Sequence, residues 1–174
     1  MTRRKLSMTI ELLIGPLASG KSTYCRQAAT EGAIIVNDDA IVTAVHGGDY
    51  TLYKKSLKPL YKNIENSIIG TALSMGLRVV VDRPNHSIQM RNRYVALGNS
   101  FDVPVDFIMF KREPPNIHAE RRFVNDARGH SLQYWIEVAM AHDSLYEKPC
   151  ESLENFNNIY FWNFDNQQLI DWNN

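Results

Sequence analysis

Short apolar runs alternate with longer amphipathic stretches along most of the chain. The runs are rich in β-branched residues, as buried strands are, and they cover 8–14, 33–36, 78–81, 103–110 and 159–162. Between them, apolar positions recur every three to four residues, which predicts helices over 21–30, 53–75, 87–97, 116–128 and 131–146. Strands that alternate with helices in this order predict an α/β fold, with a parallel sheet flanked by helices.

The longest predicted helix, 53–75, has an apolar stripe and a basic stripe. The apolar stripe consists of Leu57, Leu60, Tyr61, Ile64, Ile68 and Leu73, and the basic one of Lys55, Lys58 and Lys62. The lysines are typical of a solvated surface, and a groove for a phosphate backbone is the alternative. Beyond residue 155, asparagine and aromatic residues dominate, and we interpret this tail as an edge strand with a docked or frayed end.

Size and composition limit the class of protein. A chain of 174 residues predicts a single domain spanning 1–174. The formal net charge is zero, so no overall field attracts a polyanion, although a local basic patch still can. Two cysteines in a chain of this length indicate reduced thiols and a cytoplasmic protein. The basic start, 1–6, lacks the apolar stretch of a signal peptide, and no membrane span is expected.

Residues 15–22 match the phosphate-binding pattern G-x-x-x-x-G-K-[ST] at every fixed position. Gly15 and Gly20 permit backbone conformations that turn successive N–H groups toward one point, and the following helix adds its positive end there. Lys21 can reach the β- and γ-phosphates of a nucleotide, and the Ser22 hydroxyl can bind magnesium. The motif predicts that ATP, or another nucleoside triphosphate, and Mg²⁺ are bound by Gly15, Ser19, Gly20, Lys21, Ser22 and Thr23.

Two aspartates, Asp38 and Asp39, come directly after the second predicted strand. In an open parallel sheet the carboxyl ends of the strands face the ligand crevice, so these side chains are expected beside the phosphate loop. A carboxylate there can accept the proton of an attacking hydroxyl and align it with the γ-phosphate. Aspartate is also a good N-cap for the helix that follows. We assign Asp38 as the general base and Asp39 as the cap.

The third predicted strand ends at Asp82, on the same edge of the sheet. Asp82 can hold magnesium or fix an arginine, and the alternative is an ordinary turn residue, because Pro84 and Asn85 favour a turn. The basic residues after this strand are expected on the acceptor side of the crevice, together with Tyr94. We assign acceptor binding to Asp39, Asp82, Arg83, Asn85 and Arg91, with Arg93 nearby, and Mg²⁺ binding to Ser22 and Asp82.

Arginines are concentrated in the second half of the chain, and several lie on the predicted helix 116–128, before Gly129. A strongly charged helix of this kind is typical of a mobile lid, here about 111–131. Bidentate arginines match the charge that spreads over a transferring phosphoryl group, which makes Arg121 and Arg128 candidate catalytic residues. A solvated helix with salt bridges to Glu120 and Asp126 is the alternative.

Taken together, these motifs resemble the 5′-hydroxyl polynucleotide kinase family of P-loop kinases, a group that includes phage polynucleotide kinase. The resemblance covers about residues 8–148. It rests on the phosphate loop 15–23, on 36–39, on Val81 and Asp82 with Asn85 downstream, and on 120–122 with 128–129. The resemblance implies a P-loop kinase fold with an arginine-bearing helical lid, Asp38 as general base, and Arg121 or Arg128 over the γ-phosphate.

One position departs from this family. Its members place an arginine three residues after the base, where it holds a phosphate of the acceptor, and this chain has Ile41. Without that arginine, this chain lacks the group with which the family holds its usual acceptor, a 5′-hydroxyl on a 3′-phosphorylated nucleotide. Other members of the wider group phosphorylate small molecules, or hydroxymethylated pyrimidine bases in phage DNA, and a phage enzyme would act in the cytoplasm of its host.

The predicted function is transfer of the γ-phosphate of ATP to a hydroxyl of a nucleic acid. The acceptor is either the 5′-hydroxyl of a polynucleotide or a hydroxymethylated pyrimidine base in DNA, which would have to be reached or extruded. A kinase for a nucleoside, a nucleotide or another metabolite is the second hypothesis. A nucleotide-binding module without turnover is the third, and it has no use for a carboxylate aimed at the γ-phosphate.

Overall fold

A computed structural model describes residues 8–172, so the basic start, 1–6, lies outside the described residues. The described chain forms one sheet of six strands: β1 (Ile10–Ile14), β2 (Ile34–Asn37), β3 (Val79–Asp82), β4 (Val105–Met109), β5 (Asn158–Asn163) and β6 (Gln168–Asp171). Their order is β2–β3–β1–β4–β5–β6. All neighbours pair in parallel except β5 and β6, which are antiparallel. The predicted α/β fold with a parallel sheet is therefore confirmed.

The described residues also form six α-helices, which cover the faces of the sheet. They are α1 (Lys21–Thr30), α2 (Asp38–Val45), α3 (Lys58–Ser74), α4 (Ile88–Ser100), α5 (Pro115–Val124) and α6 (Leu132–Ser144). β1 lies near the centre of the sheet and is fully buried, as a strand with helices on both faces must be. None of the described helices is long and apolar enough to span a membrane.

The helix α3 differs from its prediction at the start and on its buried face. It begins at Lys58, after two short 3₁₀ turns at 50–52 and 55–57, and Pro59 occupies its first turn, where proline is favoured. Leu60, which was assigned to the apolar stripe, is 44% exposed. The face that packs on the sheet carries Tyr61, Glu65, Ile69, Ala72 and Leu73. A glutamate in the middle of this face is a departure that the apolar pattern does not predict.

The C-terminal part of the chain forms a hairpin on the sheet. The tail beyond residue 155 does supply an edge strand of the sheet, as predicted, but that strand is β6 and not the predicted run 159–162, because β6 pairs with β5 from Tyr160↔Asp171 to Asn163↔Gln168. Within β6 only Leu169 is partly buried, so the hydrophobic pattern that would predict this strand is weak. The turn between the two strands, 164–167, reaches the phosphate loop.

The helices α5 and α6 pack on each other beside the phosphate loop. Buried Ala119, Trp135 and Ala139 form their contact, with Leu17 of the loop against them. Helix α5 ends at Val124 rather than at residue 128, and α6 begins where it was predicted, because the Ser131 side chain accepts a hydrogen bond from Tyr134 N. The arginine-bearing lid at 111–131 stays a prediction.

Candidate nucleotide and acceptor site

The carboxyl ends of β1, β2 and β3 lie side by side and form one edge of the crevice. Asn37 at the end of β2 is in register with Asp82 at the end of β3. The Asn37 amide donates a hydrogen bond to Asp82 Oδ2 over 3.0 Å. Polar residues that stand 45 positions apart in sequence thus meet because parallel strands end at the same edge of the sheet.

The phosphate loop follows β1 and is tightly shaped. A Cβ on Gly15 would lie 2.7 Å from Phe110 Cβ, so only glycine fits there. Gly20 has a φ of 99°, in the left-handed region that favours glycine, and α1 begins at the next residue. The Ser19 hydroxyl donates to Pro16 O over 2.9 Å. Both fixed glycines of the motif are thereby explained by space and by backbone conformation.

The ammonium group of Lys21 is folded against its own loop. Nζ donates hydrogen bonds to Gly15 O over 2.8 Å and to Pro16 O over 2.5 Å. Burial lowers the pKa of Lys21 to about 8, although the nearby Asp82 carboxylate acts in the opposite direction. The ammonium group of Lys21 therefore loses its proton more easily than an ordinary lysine does. A phosphate bound beside it would favour the protonated form and raise the pKa again.

Two oxygen donors suited to a magnesium ion flank this lysine. The Ser22 hydroxyl is exposed at the start of α1, and Asp82 lies close enough to Lys21 and Cys25 to affect both. Burial raises the pKa of the Cys25 thiol to about 12, and Asp82 adds to the shift through its charge and a hydrogen bond. Hydroxyl and carboxylate oxygens are the ligands that Mg²⁺ prefers, so the donor set fits the ion.

The N-cap of α2 is Asn37, and its assignment to Asp39 was wrong. The Asn37 side chain accepts a hydrogen bond from Ala40 N over 2.9 Å, two residues earlier than an Asp39 cap would require. Asp38 and Asp39 therefore lie in the first turn of the helix with their carboxylates free for other contacts. Asp38 Oδ1 lies 2.5 Å from Arg83 Nη2.

The environment of Asp38 suits a general base. Partial burial raises the pKa of its carboxyl, the negative charges of Glu65 and Asp39 act in the same direction, and Arg83 opposes them. A carboxylate with a raised pKa accepts a proton more readily than an ordinary aspartate. The carboxyl end of β2 places this group at the crevice.

Glu65 is a member of the site that the sequence did not reveal. It is fully buried on α3 and accepts a hydrogen bond from the Tyr94 hydroxyl over 2.7 Å. Its two oxygens lie 2.9 Å from Arg83 Nε and 2.5 Å from Arg93 Nη2. Glu65 thus anchors both acceptor-side arginines, and through Arg83 it reaches Asp38. A lone charged residue at a position of helical apolar spacing is the only signal that marks it in the sequence.

Two of the residues assigned to the acceptor are parts of the core instead. Arg91 is fully buried, with Nε 2.6 Å and Nη2 2.9 Å from the two oxygens of Glu154. Asn85 is also buried, and its amide donates to Leu13 O over 2.9 Å. Placing them on the acceptor side of the crevice was wrong, because both side chains make their hydrogen bonds to buried groups of the protein. These bonds hold the β3–α4 connection against β1.

The two candidate lid arginines point to different parts of the site. Arg121 pairs with Glu113 at the rim of a cavity of about 420 Å³, which is lined by 18–20, 111, 113, 121 and 161–165. Arg128 lies 3.0 Å from Asp39 Oδ2 and 4.2 Å from the centre of the Tyr50 ring. Arg121 is therefore beside the phosphate loop, whereas Arg128 joins the 125–131 connection to the start of α2.

A parallel sheet, a phosphate loop after β1 and carboxylates at the ends of β2 and β3 define a P-loop protein of the kinase-like class. Residues 10–133 match the model of the family AAA_33, described as an AAA domain, and the chain belongs to this family. No significant match was found among curated proteins.

Solved structures share this fold. Kti12 from Chaetomium thermophilum, in complex with ADP-AlF3, is 16% identical, with a TM-score of 0.63 over 90% of this chain and 89% of that chain. A gluconokinase from Sinorhizobium meliloti 1021 is 19% identical, with a TM-score of 0.51 over 90% and 84%. A chain of the Pnkp1/Rnl/Hen1 RNA repair complex is 14% identical, with a TM-score of 0.61 over 84% and 48%. This chain spans less than half the length of the chains that it matches in that assembly.

Proposed function

We propose that the protein is a kinase that transfers the γ-phosphate of ATP to a hydroxyl group. The observation that carries the proposal is the position of Asp38, at the crevice end of β2 and free of any capping role. A nucleotide-binding module needs the phosphate loop alone, whereas a kinase also needs a group that accepts the proton of the acceptor. Asp38 is that group in the proposed reaction.

The donor nucleotide fits between the phosphate loop and the β5–β6 turn. In the proposed placement, backbone N–H groups of 15–20, the α1 N-terminus and Lys21 hold the phosphates. The nucleobase enters the cavity of about 420 Å³, which is lined by the Phe164 ring, close to Gly20, and by Arg121. Ser22 and Asp82 would hold Mg²⁺, which neutralises charge on the phosphates when bound.

The residues around Asp38 prepare the acceptor for attack. Asp38 takes the proton of the hydroxyl, and the buried Glu65 fixes Arg83 so that its guanidinium stays beside this carboxylate. Arg121 and Arg128 approach from the α5–α6 side, where their positive charge would stabilise the negative charge that develops on the transferred group. Asp39 holds Arg128 on the acceptor side of the crevice.

We propose a nucleic-acid hydroxyl as the acceptor: a polynucleotide 5′-hydroxyl, or a hydroxymethylated pyrimidine base as in phage DNA modification. The segment that leads from Asp39 into α3 supports this choice. Tyr50 and Tyr53 stack there with ring centroids 6.3 Å apart, and Lys54, Lys55, Lys58 and Lys62 are exposed around them. Exposed cations interleaved with aromatic rings suit a phosphate backbone and its bases. Such an enzyme works in the cytoplasm, or in that of the host if a phage encodes it.

A small-molecule acceptor is the second candidate, and a specific observation favours it. The acceptor-side arginines Arg83 and Arg93 are already paired with Asp38 and Glu65, so these four groups have no net charge. Ile41, three residues after the base, is buried in the core and offers no cation. An acceptor that has no phosphate next to its hydroxyl needs no cation at this position.

A label-transfer screen tests both proposals. The protein is incubated with γ-labelled ATP and Mg²⁺ together with 5′-hydroxyl DNA, 5′-hydroxyl RNA, hydroxymethylated DNA, nucleosides and sugars. We expect label on one of the nucleic acids, and label lost in Asp38→Asn but retained in Asp39→Asn. Label on a nucleoside or sugar alone would promote the second candidate. Nucleotide binding without transfer to any acceptor would contradict the kinase proposal.

A further inference from the structure

A cluster of nitrogen-bearing side chains lies next to the phosphate loop, where the β3–α4 connection meets α6. It consists of His86, His142 and Arg112, with Tyr146 beside them. The ring centroids of His86 and His142 are 4.5 Å apart, and the Arg112 guanidinium lies 3.7 Å from the centre of the Tyr146 ring. The connection that carries His86 is tied to the loop, because Gly15 N donates to Pro84 O over 3.3 Å.

Several nitrogen atoms of this cluster lack a hydrogen-bond partner. Within residues 8–172, neither ring nitrogen of His86, nor Nδ1 of His142, nor Nη1 of Arg112 contacts an acceptor or donor of the protein. His86 is only 2% exposed. Leaving a buried polar group unpaired is unfavourable, so native proteins satisfy nearly all such groups. Several such groups together indicate a bound species with more than one acceptor oxygen.

Two positively charged side chains, Lys21 and Arg112, act on both rings of the cluster. Burial lowers the pKa of His86 to about 3 and that of His142 to about 4, and Lys21 and Arg112 contribute to both shifts through their positive charges. The neighbouring carboxylates Asp143, Glu147 and Glu154 already have partners. Asp143 pairs with Arg112 itself, Glu147 accepts from Ile88 N, and Glu154 holds Arg91, so none of the three pairs with an imidazole of the cluster. An anion is the ligand that this combination of donors and charge complements.

We infer that His86, His142 and Arg112 form a subsite for a phosphate group, separate from the nucleotide phosphates on the phosphate loop. Each neutral imidazole can donate one N–H, and Arg112 donates from Nη1, which matches the several oxygens of a tetrahedral oxyanion. His86 closes the inner end of the subsite. Arg112, which is 22% exposed, and His142 form the end that solvent can reach.

The two imidazoles of the cluster differ from its arginine in this respect. Arg112 has a carboxylate partner, Asp143, as Arg83 and Arg128 have theirs. Within residues 8–172 no carboxylate pairs with His86 or His142, so the unmet donors of the cluster lie mainly on these two rings. The phosphate there belongs either to a phosphorylated acceptor or to free inorganic phosphate, and both offer the same oxygens.

NMR spectroscopy of the histidine rings tests the inference directly. The protein is saturated with ADP and Mg²⁺, so that the phosphate loop is occupied, and is titrated with inorganic phosphate, with a nucleoside 3′-monophosphate and with the parent nucleoside. We expect saturable shifts of the His86 and His142 ring signals, and titration of both rings at higher pH, because an anion favours imidazolium. His46, which is hydrogen-bonded to Tyr61, serves as the internal control.

The three titrations identify the source of the phosphate. Shifts with inorganic phosphate alone assign the subsite to the free ion, and shifts with the nucleoside monophosphate alone assign it to an acceptor. Shifts with the unphosphorylated nucleoside, or no shifts with any of the three, overturn the inference. In the last case ordered water satisfies the cluster.

Replacing the inner histidine gives an independent test. His86→Leu should weaken phosphate binding by about tenfold or more, with no loss of thermal stability in the phosphate-free protein, because an unsatisfied polar group is removed. His46→Gln is the matched control and should bind phosphate like the wild type. A His86→Leu protein that melts earlier and still binds phosphate normally would contradict the inference. Arg112→Gln, at the exposed end, makes the same test if His86→Leu does not fold.

Discussion

Arg83 Nη2 lies 2.5 Å from Asp38 Oδ1, and Nε of the same guanidinium lies 2.9 Å from Oε1 of the buried Glu65. One arginine thus joins a fully buried residue of α3 to the first turn of α2. Arg93 and Tyr94 also donate hydrogen bonds to Glu65, so the carboxylate that orients Arg83 is itself held in place. The position of the proposed base is therefore set by packed helices and not by a loop, and precise placement of this kind is what transfer of a phosphoryl group demands.

Asp38→Asn should reduce phosphoryl transfer by roughly 10²–10⁴-fold with little change in ATP affinity, because the amide cannot accept the proton of the acceptor. Initial rates and nucleotide binding are measured on the same preparation. Asp39→Asn is the matched control, since its carboxylate contacts Arg128 and not the acceptor hydroxyl. An active Asp38→Asn protein beside an inactive Asp39→Asn protein would exchange the roles of the two aspartates.

Lys21→Ala should lower turnover by about a hundredfold to a thousandfold, corresponding to ~3–4 kcal/mol of lost charge stabilisation. Lys21 is the charged side chain of the phosphate loop, and it already lies against Gly15 O and Pro16 O. Steady-state kinetics with the best acceptor provide the measurement, and a thermal melt controls for folding. Retention of more than about a tenth of the turnover would contradict the proposed role of the loop.

Nucleotide affinity should depend on pH in the alkaline range. Burial lowers the pKa of Lys21 to about 8 in the nucleotide-free protein, and bound phosphates raise it again. Affinity should therefore be constant below about pH 8 and fall by up to about tenfold per pH unit above it, because binding then requires uptake of a proton. Calorimetry with ADP from pH 7 to 9.5 tests this, with Lys21→Met as a variant that should show a flat profile. A flat profile in the wild type would mean that Lys21 keeps its proton.

Arg91→Met should destabilise the fold and leave acceptor recognition unchanged. Removing the guanidinium leaves the Glu154 carboxylate buried without its partner, which costs about 3–5 kcal/mol. Both side chains are fully buried. Urea unfolding measures the loss, and the double variant Arg91→Met/Glu154→Leu should recover part of it. A stable Arg91→Met protein with a raised KM for the acceptor would place Arg91 in the crevice after all.

A polynucleotide acceptor should bind less tightly as salt increases. Each phosphate contact contributes a slope of about −0.7 to −0.9 in a plot of log affinity against log salt, because bound counterions are released. The KM of the best acceptor is measured over a salt series. Lys58→Gln/Lys62→Gln should flatten the slope if the basic face of α3 follows the backbone. A response near zero for the best acceptor would favour the small-molecule candidate.

The phosphate loop and the carboxylates at the strand ends were predictable because backbone geometry determines them. The loop requires its two glycines and a helix N-terminus directly after a strand, and parallel strands end at one edge of the sheet. The prediction of the α2 cap was displaced by two residues, since Asn37 is itself the last residue of β2 and caps the helix that follows without an intervening loop. Helix boundaries are the least certain part of such predictions.

The roles of the arginines were harder to predict, because each depends on a partner that is distant in sequence. Arg91 and Glu154 are 63 positions apart and meet only after the sheet is assembled. Glu65 was hidden for the same reason, since its partners Arg83 and Arg93 lie beyond the next strand. The apolar pattern describes which face of α3 packs inward, but it does not show that a charged network lies beneath that face.

The hairpin of β5 and β6 has a consequence for how this protein could diversify. Its turn contributes to the cavity in which we propose that the nucleobase binds, yet it lies beyond the residues 10–133 that define the family. In this proposed placement, phosphate chemistry and base preference are encoded in separate stretches of the polypeptide. We therefore expect substitutions at 163–165 to alter which nucleotide is accepted while the loop at 15–22 keeps its geometry, so that the donor could change without any change at the proposed catalytic edge.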